Sequence, residues 1–326
     1  MEKNNPKIAL VGTYNETMRK AFYDNVPSRF TVAEFPLEKE YDKLYEFDPD
    51  YILNRTTTLS AADIEGCKNL KLITKYAVGF DNIDIAAAAK RKIPVTNCNG
   101  FNSDSVAELT VMLMLAMLRN LLPQNEALKK DEWTMDKYVS LSYTLKSKTV
   151  GIIGMGNIGS RVCRLVSAFG AKVNYYDINR LSPEAEAELC AVYMPFYDVL
   201  ANSDIVTLHT PGGASTYHMI SVDEIAAMKD NSWLVNCARG PVVDEAAVVA
   251  ALKSGKLAGC AADVFEVEPP FGSDFVKLPN VVSTPHVGGS TNGLAAGMIK
   301  FCLQCIDDFD NGLGLPEKNI VNRNLM

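Results

Sequence analysis

Histidine and tryptophan are scarce in this 326-residue sequence, which contains three of the former and two of the latter. The longest strongly apolar run, Leu109 to Leu118, is too short to span a bilayer. The net charge is -7, and without a dense Lys/Arg stripe a nucleic-acid partner has little electrostatic support. The N-terminus lacks the apolar core and cleavage site of a signal peptide. These absences predict a soluble, cytoplasmic protein with no membrane or nucleic-acid partner.

The pattern of cysteines supports neither a disulfide framework nor a metal site. The eight cysteines are scattered among apolar residues, which suits buried, reduced thiols. Cys302 and Cys305 form one CxxC pair, but a zinc site needs further Cys or His ligands at suitable spacing. The helical periodicity around the pair favours two core residues, so no metal is predicted.

Apolar runs alternate with amphipathic segments along the chain, which is typical of an α/β fold with mostly parallel sheets. The length and the 48% hydrophobic content are sufficient for two domains. The strands predicted in the first hundred residues are Lys7–Thr13, Phe30–Phe35, Tyr51–Leu53, Leu70–Lys75 and Ile93–Asn97. The second half has about six predicted strands, the number expected of a doubly wound dinucleotide domain. They are Val150–Ile153, Lys172–Tyr176, Ile205–Leu208, Trp233–Asn236, Gly259–Val264 and Val281–Ser283.

Two helix starts have capping-box spacing, in which a Ser and a Glu three residues later satisfy each other's backbone donors. The predicted caps are Ser105 with Glu108 and Ser221 with Glu224. The segment from Leu121 to Lys148 is less regular. Three alternatives stay open for it: packing against a partner subunit, covering its own domain, or a surface insertion.

A β-branched strand from Thr149 to Ile153 runs into three spaced glycines and then a helix. Gly154 permits a tight turn, Gly156 lets the backbone approach a pyrophosphate, and Gly159 lets the helix pack closely. The N-terminus of that helix binds an anion through its free N–H groups and its dipole. This order of elements predicts a dinucleotide site.

The next predicted strand ends at Asp177, about 20 residues beyond the glycines, where a carboxylate can accept the ribose hydroxyls of the adenosine half. Its charge would repel a 2′-phosphate, so NAD is the predicted cofactor. Arg180 lies close behind Asp177, and a cation there could accept NADP.

Polar residues follow several strands of the second half, at the edge where open α/β sheets bind ligands. They are His209-Thr210-Pro211, Cys237-Ala238-Arg239, Asp263 and Pro285-His286. Moving a hydride to or from a carbonyl carbon also requires a proton at the oxygen, and histidine has a pKa near neutrality. His286 is the best candidate of the three histidines because it lies at a strand end facing the ligand crevice, with carboxylates in the preceding connection. Glu268 or Glu266 could hold its second ring nitrogen.

Arg239 adds a planar guanidinium, which can hold a carboxylate through two hydrogen bonds while polarising a neighbouring carbonyl. A surface ion pair is the usual role of an arginine. The position of Arg239 at a strand end in a dinucleotide domain favours substrate binding instead.

Ordered motifs along nearly the whole chain resemble those of the NAD-dependent D-isomer-specific 2-hydroxyacid dehydrogenases. They are Val78 to Asp84, Asn99 to Glu108, Gly154 to Gly159, His209 to Pro211, Asn236 to Gly240, Asp263 to Pro269 and Ser283 to His286. The resemblance implies a doubly wound Rossmann dinucleotide domain, residues 101–289, inserted into a smaller flavodoxin-like α/β substrate domain, residues 1–100 plus 290–326. It also implies closure of the domains around the substrate and a homodimer through the dinucleotide domain, which favours partner packing for Leu121 to Lys148.

The resemblance further implies roles for individual residues. Arg239, Glu268 and His286 would be catalytic. Backbone groups of Val78 and Gly79, together with Arg239 and His286, would receive the substrate. Cofactor contacts are implied for Gly154, Gly156, Asn157, Ile158, Gly159, Asp177, His209, Thr210, Pro211, Cys237, Ala238, Asp263 and Gly288.

Substrate identity depends on the first domain. Arg55 and Lys75 fall near strand ends there, where family members acting on 3-phosphoglycerate carry basic residues. Lysine lacks the fork of arginine, which weakens a phosphate assignment. The expected reaction is hydride transfer between NAD(H) and a small D-2-hydroxy or 2-oxo acid, with 3-phosphoglycerate/phosphohydroxypyruvate or hydroxypyruvate/glyoxylate as substrates. The alternative is an NAD(H)-sensing corepressor-like scaffold of the same fold.

Overall fold

The computed structural model describes residues 5–326, so residues 1–4 of the predicted substrate domain lie outside the described part. The chain divides into two compact units. The smaller unit comprises Met1–Asn102 and Ser290–Met326, and the larger unit comprises Ser103–Gly289. Each unit has its own parallel sheet with helices on both faces.

The strands and helices are as follows. The strands are β1 (Lys7–Val11), β2 (Thr31–Phe35), β3 (Tyr51–Asn54), β4 (Leu72–Lys75), β5 (Val95–Asn97), β6 (Thr149–Ile153), β7 (Lys172–Tyr176), β8 (Ala191–Tyr193), β9 (Ile205–Leu208), β10 (Ser232–Asn236), β11 (Leu257–Ala262) and β12 (Val281–Ser283). The helices are α1 (Glu16–Tyr23), α2 (Tyr41–Phe47), α3 (Ala61–Gly66), α4 (Ile85–Lys90), α5 (Ser103–Leu118), α6 (Leu121–Leu128), α7 (Asn157–Ala168), α8 (Pro183–Leu189), α9 (Phe196–Asn202), α10 (Val222–Ala227), α11 (Glu245–Ser254) and α12 (Leu294–Asp310).

The smaller unit has five parallel strands in the order β2-β1-β3-β4-β5, which is the flavodoxin-like order. Strands β3 and β4 are buried along their whole length, as expected of parallel strands covered on both faces. Helix α12 belongs to this unit because its buried residues lie on one face and pack on the sheet. Cys302 and Cys305 are among these buried residues.

The larger unit has seven parallel strands in the order β12-β11-β10-β9-β6-β7-β8. The chain runs outward from β6 to β8 and then returns to the other side of β6 with β9. This reversal places a switch point beyond the carboxyl ends of β6 and β9, where such sheets bind ligands. The predicted Rossmann fold is confirmed.

Two predictions about the larger unit are wrong in detail. The sheet has a seventh strand, β8, whose three residues at the sheet edge are too few to produce a visible alternation. Helix α5 begins at Ser103, so Ser105 lies in its first turn and is not the cap, because the buried face of the helix starts at Ser103. The other predicted box, Ser221 with Glu224, is confirmed at the start of α10. The backbone N–H of Ser221 donates to Glu224 at 3.2 Å, and the Ser221 hydroxyl donates to Asp244 at 2.8 Å.

Residues 5–326 contain no single helix that is long and apolar enough to cross a membrane. Helices α5 and α6 reach that length and composition only as a pair, and they are bent by 65° relative to each other. The same residues contain no group of three or more His, Cys, Asp or Glu side chains arranged to hold a metal ion.

Candidate active site

The glycine turn lies at the switch point of the larger unit. Gly154 follows β6 with a φ of +94°, and a Cβ there would stand 2.7 Å from the carbonyl oxygen of His209. A Cβ on Gly159 would stand 2.1 Å from the Gly154 oxygen, whereas nothing lies within 4 Å of a Cβ on Gly156. Close packing therefore requires Gly154 and Gly159. Gly156 leaves the first residues of α7, Asn157 and Ile158, open to a ligand.

Asp177 is bound to this turn through its carboxylate. Its Oδ2 accepts the backbone N–H of Met155 at 2.7 Å, and its Oδ1 accepts that of Asn179 at 2.8 Å. Met155 is the residue directly after Gly154. The two hydrogen bonds hold a negative charge at the carboxyl end of β7, beside the N-terminus of α7.

The segment after β9 lines the same edge of the sheet. The Thr210 hydroxyl is buried and has no hydrogen-bond partner among the described residues. Burial lowers the pKa of His209 to about 3, and its Nε2 lies 3.0 Å from the Thr207 hydroxyl, so this ring is neutral. An open glycine turn, a helix N-terminus and an unpartnered hydroxyl fit a dinucleotide, whose phosphates and polar groups need such partners.

His286 and Glu268 form a hydrogen-bonded pair in the larger unit. Nδ1 of His286 lies 2.8 Å from Oε2 of Glu268, whose Oε1 accepts the backbone N–H of Phe265 at 3.1 Å. The hydrogen bond to Glu268 raises the pKa of His286 against the effect of burial. Burial acts to raise the pKa of Glu268, but the bond with His286 and the nearby charges lower it overall. Within residues 5–326, Nε2 of His286 has no hydrogen-bond partner, so the pair presents one ring nitrogen to a ligand.

Glu266, which spacing alone left as an alternative partner, binds a different histidine. Its Oε1 lies 2.6 Å from Nε2 of His218, and its Oε2 accepts the backbone N–H of Glu245 at 3.2 Å. Nδ1 of His218 faces Asp244 at 4.0 Å. Both ring nitrogens of His218 therefore face carboxylates, and the structure brings Glu268, not Glu266, to His286.

Asp263 holds the segment that carries His286. This carboxylate is 2% exposed. Its Oδ1 accepts the Thr284 hydroxyl at 2.5 Å and the Val287 N–H at 2.9 Å, and its Oδ2 accepts the Gly288 N–H at 2.8 Å. His286 itself has a φ of +53°, which is uncommon for a residue with a Cβ. This anchoring role was not predicted, because its only signal in the sequence is an acidic residue directly after a strand.

Arg239 lies after β10, beyond the buried residues Cys237 and Ala238. Its Nη1 donates to the Ala238 carbonyl at 2.7 Å. Its charge contributes to lowering the pKa of Glu268 and opposes the rise in the pKa of His286. The guanidinium, the imidazole and the carboxylate therefore form one electrostatic group at the carboxyl edge of the sheet.

The smaller unit holds the remaining predicted substrate residues. Val78 and Gly79 lie in the bend after β4, and the Val78 carbonyl accepts the Asn97 side chain at 2.6 Å. Arg55 is partly exposed and donates to the Thr13 carbonyl.

Lys75 is the last residue of β4. It is 4% exposed and donates to Asn82 Oδ1 at 2.6 Å, to Asn54 Oδ1 at 3.1 Å and to the Arg55 carbonyl. Three acceptors satisfy its three N–H groups. The ammonium group points into its own unit and joins β3 to the loop of Asn82, and contact between Lys75 and the substrate stays a prediction.

Replacing Lys75 with alanine should lower the free energy of unfolding by about 2 to 3 kcal/mol, because buried acceptors lose a charged donor. Replacing the partly exposed Arg55 with alanine should lower it by less than about 0.5 kcal/mol. Urea denaturation followed by circular dichroism measures both. Equal losses in the two variants would contradict the buried role of Lys75.

Comparison with known proteins supplies a family for this arrangement. The sequence model described as D-isomer specific 2-hydroxyacid dehydrogenase, NAD binding domain, matches residues 111–288. A glyoxylate reductase from Thermococcus litoralis is 40% identical over 268 residues, which cover 81% of this chain and 80% of that protein. A D-3-phosphoglycerate dehydrogenase from Methanocaldococcus jannaschii is 40% identical over 255 residues, which cover 77% of this chain and 48% of that protein.

Solved structures have the same fold. The structure of D-lactate dehydrogenase from Aquifex aeolicus, complexed with NAD and lactic acid, superimposes with a TM-score of 0.85 at 28% identity. The match covers 97% of this chain and 99% of that chain.

Proposed function

Because this chain belongs to the D-isomer specific 2-hydroxyacid dehydrogenases and is an NAD-dependent oxidoreductase, we propose that it interconverts glyoxylate or hydroxypyruvate and the corresponding 2-hydroxy acid. The observation that carries the proposal is the His286–Glu268 pair at 2.8 Å, with Nε2 of the imidazole left for a substrate oxygen. The His286–Glu268 pair lies in the larger unit, which contains the residues matched by the NAD-binding family model.

Two observations favour glyoxylate and hydroxypyruvate over a phosphorylated acid as the substrate. The glyoxylate reductase match covers 80% of that relative, whereas the phosphoglycerate dehydrogenase match covers 48% of that protein. In addition, the ammonium group of Lys75 is already bound inside its unit, which leaves one fewer cation for a phosphate.

In the proposed reaction, the glycine turn Gly154–Gly159 and the N-terminus of α7 would hold NAD(H), which would supply hydride-transfer chemistry at carbon 2 of the acid. His286 donates a proton from Nε2 to the substrate oxygen during reduction and takes it back during oxidation. Glu268 orients the ring through Nδ1 and stabilises its protonated form. Arg239 holds the substrate carboxylate and polarises the adjacent carbonyl. Asp263 keeps the His286 segment in place.

NAD is the preferred cofactor in this proposal. The support is the carboxylate of Asp177, held at the glycine turn by two backbone N–H groups. A carboxylate at that position accepts hydrogen bonds from the ribose hydroxyls and repels a 2′-phosphate.

The test of the proposed function is a panel of NADH-oxidation assays with glyoxylate, hydroxypyruvate, phosphohydroxypyruvate and pyruvate. The highest kcat/KM should belong to glyoxylate or hydroxypyruvate. A phosphohydroxypyruvate preference would replace the substrate and keep the reaction. No turnover with any 2-oxo acid, together with NADH-dependent oligomerisation, would contradict the enzymatic proposal and favour a nucleotide-sensing scaffold.

Glu268→Gln should move the basic limb of the pH profile for reduction to lower pH. Reduction needs protonated His286, so the rate falls as pH rises through the pKa of that residue. Glu268 raises this pKa, and the neutral amide removes the effect. The profile of kcat/KM reports the pKa of the free enzyme. An unchanged or upward-shifted limb would show that another group titrates.

The proposed partner is a second copy of the chain, bound through the larger unit. Large apolar side chains are exposed along α6 and the segment 133–141, namely Leu121, Leu122, Leu128, Trp133, Met135, Val139 and Leu141. Exposed apolar patches of this kind mark protein interfaces. This supports partner packing for the segment 121–148.

Trp133→Glu combined with Met135→Glu should convert the proposed dimer into a monomer, because burying two carboxylates in an apolar interface is costly. Size-exclusion chromatography with light scattering measures the mass. The control is Phe271→Glu, which alters another exposed apolar residue outside this segment and should leave the mass unchanged. A monomeric parent protein, or a dimer that persists in the double variant, would contradict this interface.

A cytoplasmic location completes the proposal. All eight cysteines are free, and seven of them are buried. Unpaired thiols suit a reducing compartment. Fractionation of cells that express the chain, with detection in the cytosolic fraction, tests this.

A further inference from the structure

Arg180 lies three residues after Asp177, and its guanidinium is bound to the neighbouring helix. Nε and Nη2 of Arg180 donate to the two carboxylate oxygens of Glu186 at 2.8 and 3.0 Å. The guanidinium also stacks over the Tyr193 ring, 4.9 Å from its centroid. Two hydrogen bonds and a ring contact therefore set the direction of this side chain.

Glu186 is a strong anchor for Arg180. Its side chain is 14% exposed. It also accepts the Tyr175 hydroxyl at 2.7 Å. The Arg180 and Tyr175 hydrogen bonds lower the pKa of Glu186 to about 2. Glu186 is therefore ionised at any working pH, and the bond to Arg180 persists.

An arginine directly behind the ribose-binding acid of a dinucleotide fold is the type of residue that accepts the 2′-phosphate of NADP. Arg180 has this sequence position, but its guanidinium already binds the Glu186 carboxylate. We propose that Glu186 is a specificity-determining residue for the cofactor, which holds Arg180 against α8 and so keeps this cation from a 2′-phosphate. This inference rests on the proposed cofactor site.

The experiment measures dissociation constants of NADH and NADPH by fluorescence titration of the protein without substrate. Glu186→Gln keeps an acceptor for Tyr175 but weakens the bond to Arg180. The dissociation constant of NADPH should be about fivefold lower, or lower still, in this variant than in the parent protein, because a freed guanidinium can pair with the 2′-phosphate. NADH affinity should change by less than about twofold, since NADH lacks that phosphate.

Two further variants separate this inference from the loss of a negative charge. In Glu186→Gln combined with Arg180→Ala, the gain in NADPH affinity should disappear. If the gain persists without Arg180, simple charge removal explains it and the inference is wrong. The matched control is Glu188→Gln, on the same helix and paired with exposed Arg164 at 2.8 Å, which should alter neither affinity.

A third variant does not depend on the folding of any Glu186 variant. Arg180→Ala alone should leave the NADPH affinity of the parent protein within about twofold, because the guanidinium is withheld in the parent. A clear loss would show that Arg180 already contacts the phosphate, which overturns the inference. Failure of the parent to bind NADH would instead contradict the proposed cofactor site, so the two failures are distinguishable.

Discussion

Replacing His286 with alanine should lower kcat for 2-oxo acid reduction by about 10³-fold, because the substrate oxygen loses its proton donor. The dissociation constant of NADH should stay within about twofold, since no cofactor contact is assigned to this ring. Steady-state kinetics measures the first quantity and fluorescence titration the second. Retention of near-normal turnover would contradict the role of His286.

His218 supplies the matched control for this experiment. Its Nε2 pairs at 2.6 Å with Glu266, which lies in the same loop as Glu268. Unlike His286, His218 has carboxylates facing both of its ring nitrogens. His218→Ala should therefore lower kcat by less than about tenfold, through loss of local packing rather than of a proton donor. Equal losses in the two variants would show that pairing with a carboxylate does not distinguish the proton donor.

Replacing Arg239 with alanine should lower kcat/KM by about 10³-fold or more, because the substrate carboxylate loses a two-pronged, charge-assisted partner. Arg239→Lys keeps the charge but not the fork, so it should recover only part of the loss. Arg239→Ala should also change the pH profile for reduction. Since Arg239 opposes the rise in the pKa of His286, removing its charge should move the basic limb to higher pH, opposite to the effect of Glu268→Gln.

The control for Arg239 is Arg164→Ala, which breaks an exposed ion pair with Glu188 and should leave kcat/KM within about twofold. A downward shift of the basic limb in Arg239→Ala would contradict the electrostatic grouping of Arg239 with Glu268 and His286. A KM that rises with kcat unchanged would limit Arg239 to substrate binding.

Sequence reasoning predicted the features that depend on local pattern and on general rules of parallel sheets. Three patterns predict the dinucleotide turn and the functional strand ends: hydrophobic periodicity, spaced glycines after a strand, and ligand binding beyond carboxyl strand ends. The residues placed in this way are Gly154, Asp177, Arg239 and His286. The short edge strand β8 was missed because three residues carry too little pattern.

The choice between side-chain partners required the folded chain. Glu266 and Glu268 are two residues apart and equally plausible by spacing, yet Glu266 binds His218, 48 residues away, and Glu268 binds His286, 18 residues away. Lys75 and Arg180 have the positions of phosphate-binding cations, but protein acceptors already hold both. Asn54 lies 21 residues from Lys75, and Glu186 lies 6 residues from Arg180.

The physical reason is the range of the interactions involved. Backbone conformation and the burial of one face depend on neighbours along the chain, so the sequence alone predicts the two sheets and the position of the dinucleotide turn. Hydrogen bonds of charged side chains depend on distances of about 3 Å between atoms of different elements, which residue spacing along the chain does not determine. Only the packed units determine which carboxylate holds His286 and which cations remain for a ligand.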